Sequence, residues 1–237
     1  LEGIVYAVAP DDGALYRFDG PGSIGQKKAT VLVDDYVLTA VGDRAAILDR
    51  TSNTIIKDDG SSIALPDAAL RIQQVGADRD FVVAATGDSL LRVSFGGSVT
   101  TLPTGASTTA SVPADVAAPV VLGTCIHGAW AASATYLGVC DGAEPTSVDI
   151  PSSTSGARLE FRVNRKVIAL NNLTNGNVWL VTESMRLVEN WDEVTPPQDA
   201  EGESTDEKST KASFEDTLAE RTDQNTPPIA RPDDLGV

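Results

Sequence analysis

The stretch RIQQVGADRDFVVAATGDSLLRVSFGGSVTTL, residues 71–102, breaks into four short apolar runs separated by turn residues. The runs read as strands over Arg71–Val75, Asp80–Thr86, Ser89–Ser94 and Ser98–Leu102. Turns fall at Gly76–Arg79, Gly87–Asp88 and Phe95–Gly97. Valine is stiff at χ1 and packs well on a pleated surface, whereas glycine and aspartate punctuate turns. Across 1–191 apolar residues do not recur at helical spacing, so an all-β chain is expected.

The same order of elements extends on both sides. Upstream, strands are expected over Val37–Val41, Arg44–Asp49, Thr54–Lys57 and Ser61–Leu65, with turns at Gly42-Asp43 and Asp59-Gly60. Downstream lie Val120–Cys125, His127–Ala131, Thr135–Cys140 and Thr146–Ile150, then Arg158–Val163, Lys166–Leu170, Asn177–Thr182 and Met185–Asn190. Three units end in an apolar residue followed by proline, at Leu65–Pro66, Leu102–Pro103 and Ile150–Pro151. The first two endings are 37 residues apart, and a Thr/Ala/Ser/Pro-rich loop at Thr104–Pro119 lengthens the third unit. A first, incomplete unit offers Ile4–Ala9, Ala14–Phe18 and Thr30–Val33, its opening strand expected upstream of Leu1. About five blade-like repeats of up to four antiparallel strands are the plan of a β-propeller. A β-sandwich pair with accidental periodicity is the alternative.

The pattern changes at residue 192. Residues 192–228 hold 11 acids and 3 bases, a net −8, against −7 for all of 1–191. With Val194, Phe214 and Leu218 as their large apolar residues, they read as a disordered acidic linker, with a short helix feasible at 213–221. The expected domains are therefore a propeller-like domain over 1–191, the linker over 192–228, and the start of a truncated repeat over 229–237.

The formal charge of −16 argues against nucleic acid and an anionic membrane surface as partners. No apolar run approaches the ~20 residues that span a bilayer, so membrane insertion is not expected. The chain opens without Met or a secretory signal and reads as an excised fragment. Cys125 and Cys140 are spaced to cross-link adjacent strands, two buried free thiols being the other reading. With one histidine and no C-x-x-C, a metal centre is not expected, and no cofactor is implied.

Few residues in the sequence carry a chemical motif. His127 is the sole histidine and reads as a satisfied strand residue. Asp11-Asp12, Asp34-Asp35 and Asp58-Asp59 fall at turns, where aspartate bonds locally, rather than at the spacing of a glycosidase pair. The Asp-Asp-Gly triplets at 11–13 and 58–60 lack EF-hand spacing for calcium. No catalytic residue is assigned and no enzyme is expected. Trp179 reads as a core anchor, and Trp130 as a possible aromatic on a ligand-binding face.

The Cys125/Cys140 unit with Gly128-Ala129-Trp130, the Asn177-Val178-Trp179 strand, Asn190-Trp191 and the Pro227-to-Gly236 string resemble the N-terminal ectodomain of large actinobacterial surface proteins. Those carry a propeller-like domain, an acidic linker and tandem Ig-like, cadherin-like or fibronectin type III repeats. The resemblance implies a secreted or cell-surface, monomeric, non-catalytic module for adhesion or spacing, binding a protein or a cell-wall glycan. An accessory carbohydrate-binding part of a secreted polysaccharide-degrading enzyme is the alternative, and an enzyme using the propeller face a third.

Overall fold

A computed structural model describes residues 3–106, 109–153, 156–181 and 184–188. The linker at 192–228, the helix at 213–221, Trp191 and the repeat at 229–237 lie outside the described residues. The expected architecture is present: five antiparallel sheets follow one another along the chain, one of three strands and four of four. The repeating unit is the meander. Sheet I holds β1 (Val5–Ala9), β2 (Ala14–Phe18) and β3 (Gln26–Thr30). Sheet II holds β4 (Tyr36–Val41), β5 (Arg44–Asp49), β6 (Thr54–Lys57) and β7 (Ser62–Ala64). Sheet III holds β8 (Arg71–Ile72), β9 (Phe81–Ala85), β10 (Ser89–Ser94) and β11 (Val99–Pro103). Sheet IV holds β12 (Val120–Leu122), β13 (Cys125–Trp130), β14 (Thr135–Cys140) and β15 (Thr146–Asp149). Sheet V holds β16 (Leu159–Asn164), β17 (Val167–Asn172), β18 (Val178–Leu180) and β19 (Arg186–Leu187).

The sequence of each strand reports its place in a blade. The middle strands are covered on both faces and read as continuous apolar runs: β9 is Phe-Val-Val-Ala-Ala, buried at every position. Its alternate side chains serve two cores. Val82 and Ala84 pack with Val41, Leu48, Ile55, Leu91 and Val93 between sheets II and III. Phe81, Val83 and Ala85 pack with Leu90, Ile126, Trp130 and Leu137 between sheets III and IV. Equivalent layers join sheets I and II through Leu15, Val31 and Ile47, and sheets IV and V through Tyr136, Phe161, Leu170 and Trp179. The last strand of a blade has less cover, so β11 and β15 expose most of their Thr, Ser and Asp side chains.

Two glycines make the close packing of sheet IV feasible. A Cβ on Gly128 would lie 2.8 Å from both Leu90 Cδ2 and the Trp130 ring. A Cβ on Gly138 would lie 2.6 Å from the Tyr136 hydroxyl. The Thr104–Pro119 loop is pinned rather than merely inserted. The Ala110 amide donates to the Gly87 carbonyl, the Arg71 guanidinium to the Pro113 carbonyl, and Val116 is buried against Trp130.

Candidate functional site

The first strands of sheets III, IV and V converge. Beyond Ile72 the chain leaves β8, and the Gln74 amide N–H donates to the Pro119 carbonyl at 2.8 Å. The Gln74 side-chain amide donates to the Phe161 carbonyl of β16 at 3.0 Å. Parallel bonding between Gly42 and Gly76, and between Gly76 and Ala40, holds the same segment to sheet II, each at 3.0 Å. The Arg44 guanidinium, stacked 4.2 Å from the Phe95 ring centroid, donates to the Arg79 carbonyl and pairs with Asp78 at 3.2 Å.

These restraints leave an open cavity of about 680 Å³ lined by residues 74–77, 79, 120–123, 162 and 163. Its walls are aliphatic: Val75, Val120, Val121, Leu122 and Val163. Its cations are Arg79, which donates to the Gly123 carbonyl, and Arg162, which pairs with Glu160 at 3.0 Å. Pockets of this size with apolar walls and a few convergent polar groups are the usual form of a ligand site. None of these residues was singled out from the sequence. The one available signal was the placement of Arg79 and Arg162 beside first-strand turns in an acidic chain.

The residues that were singled out lie elsewhere. Cys125 and Cys140 face each other across β13 and β14 and form a disulfide. His127 and Tyr136 lie on the same face of that pair of strands. His127 stands opposite Gly138, and the Tyr136 ring covers Gly138 to bring its hydroxyl 2.7 Å from His127 Nδ1. Burial pushes the imidazole down to about 4 and raises the phenol, so both groups are neutral at pH 7. Trp130 is a correction: it is fully buried between sheets III and IV, with its indole N–H donating to the Thr86 carbonyl at 2.8 Å, and offers no face to a ligand. Trp179 is equally buried and donates to the Pro151 carbonyl at 2.9 Å.

The candidate carboxylates are held locally. Asp35 pairs with Arg50, whose hydrogen bond keeps that carboxyl below its usual range. Asp59 accepts from the Ser61 hydroxyl at 2.5 Å and its amide at 2.9 Å, which lowers it likewise. Among the described residues no three His, Cys, Asp or Glu side chains cluster as a metal site, and no helix is long and apolar enough to cross a membrane.

Neither a protein-family model nor a curated protein sequence matches the chain. Its fold is that of a β-propeller. Virginiamycin B lyase from Staphylococcus aureus superposes with a TM-score of 0.56 at 13% identity, over 79% of this chain and 66% of that one. A catalytically inactive form of the same enzyme with quinupristin gives 0.54 at 15% identity, with the same coverage. The chain thus spans just under two thirds of the length of these relatives in fold. This overturns the exclusion of an enzyme drawn from the sequence. The plan of sheets found here is also that of a lyase. At this identity the likeness shows the fold alone.

Proposed function

We infer that the chain is the ligand-binding propeller module of a larger extracellular protein, with its ligand seat in the cavity between the first strands of sheets III, IV and V. The observation that carries this reading is the cavity itself: about 680 Å³, aliphatic-walled, and framed by a segment bonded to sheets II, IV and V. A framework fixed before the ligand arrives loses less entropy on binding. The cross-strand disulfide supports an oxidising compartment. The surface-protein resemblance, together with the acidic composition of residues 192–228, supports a role at the cell surface. With Trp130 buried, no aromatic among the described residues lines the cavity, which favours a protein ligand over a sugar stacked on rings.

The test is retention of the full chain on a panel of defined peptides and glycans, repeated with Val75→Trp. Val75 is 60% exposed and lines the cavity, so the indole fills the seat without entering the core. A matched control is Leu173→Trp, in the turn between β17 and β18. Ligands retained by the native chain should be lost with Val75→Trp and kept with the control. Retention that Val75→Trp leaves intact excludes this cavity as the seat.

A further inference from the structure

The charge around this cavity runs against the charge of the chain. Of the four cations at or beside it, Arg79 and Arg162 line the wall. Arg165 and Lys166 form the tip of the β16–β17 hairpin, which continues from Arg162 and Val163 through an exposed hollow lined by residues 164–167. Among the described residues no carboxylate lines either surface. Of these four, only Arg162 makes an ion pair, with Glu160; Arg79 spends a donor on a carbonyl, and Arg165 and Lys166 meet no acid among the described residues. Residues 151–191 carry five bases and three acids, a net +2, in a chain of −16. The neighbouring residues 101–150 hold four acids and no base.

Unneutralised cations grouped together repel one another, and an acidic chain has carboxylates to spare for neutralising them. A guanidinium that gives one N–H to a carbonyl keeps donors for a planar carboxylate, to which it binds in a forked geometry. Between the cations stand Val75, Leu122 and Val163, with Val167 on the hairpin, all at least partly exposed. The strands β12 and β16 each lie at the edge of their sheets, so one row of backbone groups on each has no strand partner. An extended peptide presents what such a surface takes: main-chain groups for a strand edge, and side chains alternating between two faces.

Resting on the reading of the cavity as the ligand seat, we propose that this surface binds an extended segment of a partner protein in which Asp or Glu alternates with aliphatic residues. Its carboxylates meet Arg79, Arg162, Arg165 and Lys166, and its aliphatic side chains meet the valine walls. The overall negative charge of the chain turns away acidic segments that cannot reach this basic surface.

The probe is a fluorescein-labelled heptapeptide of alternating Glu and Val, titrated with the full chain and followed by anisotropy. A Gln-for-Glu peptide and an oligogalacturonate serve as comparison ligands. Saturable binding of the Glu peptide is expected, weakened about tenfold or more by the pair Arg165→Gln/Lys166→Gln, whose exposed side chains make no bond among the described residues. Arg79→Gln should weaken it similarly, with the melting temperature reporting whether loss of the bond to Gly123 also loosens the site. Absence of saturable binding overturns the proposal, as does equal binding of the Gln peptide or affinity unchanged in the double variant. Binding of the oligogalacturonate in place of the peptide overturns the choice of partner and assigns the same cations to an acidic glycan. Failure of the cavity reading looks different: peptide binding then depends on Arg165 and Lys166 but is indifferent to Val75→Trp.

Discussion

Lowering the pH from 7 to 5 should destabilise this protein through one residue, His127. The residue is 8% exposed, and burial holds its imidazole at about 4 against an ordinary 6.5. The unfolded chain therefore takes up a proton first as pH falls, and each proton bound only by the unfolded state lowers stability. The contribution is fully present above about 6.5, declines between 6.5 and 4, and is lost below 4. The difference of about 2.5 corresponds to about 3 kcal/mol in full, of which about 2 kcal/mol should be gone by pH 5. The chain has one histidine, so within the window from pH 7 to 5, above the ordinary carboxylate range, the slope belongs to His127. Urea denaturation with the disulfide intact, run at several pH values, gives the slope directly. His127→Gln should remove it while leaving the Tyr136 hydroxyl a partner. A flat profile from pH 7 to 5, or an imidazole proton titrating near 6.5 by NMR in the folded chain, would refute the reasoning.

Further expectations concern the same sheet and its neighbours. Replacing Cys125 and Cys140 together with serine should cost about 3 kcal/mol in chain entropy, measured by chemical denaturation, since the closed loop spans 15 residues. Gly138→Ala should cost about 1–3 kcal/mol because its methyl group meets the Tyr136 hydroxyl, and combining it with Tyr136→Phe should recover part of that loss in a double-mutant cycle. Trp130→Phe should leave the Thr86 carbonyl without its donor and open space beside Gly128, lowering the melting temperature. Trp179→Ala, which empties the layer between sheets IV and V, should cost about 3–5 kcal/mol by denaturant titration.

Local chemistry settled most of the architecture of 1–188. In β9 and β10 the apolar runs are long enough to cover two faces, and Gly87-Asp88 between them leaves a two-residue turn as the economical connection. The same pattern four times over implies stacked sheets, because one such sheet cannot bury both faces by itself. The pairing of Cys125 with Cys140 follows from the same local chemistry: Cys125 opens β13, Cys140 closes β14, and the short turn between those strands sets their antiparallel register. Trp130 was misread because a strand residue alternates between two faces, and in a blade both of those faces are interior; exposure or burial of an aromatic there depends on the neighbouring sheet, here on Thr86 and Leu90. The ligand seat was illegible for a related reason. Gln74, Arg79, Leu122 and Arg162 are separated by up to 88 residues, follow no common motif, and meet because the first strands of three sheets converge. Strand and turn identity come from interactions a few residues apart in the chain. A cavity comes from the distances between sheets, and these are fixed by how the four interlocking cores fill, which only the folded chain decides.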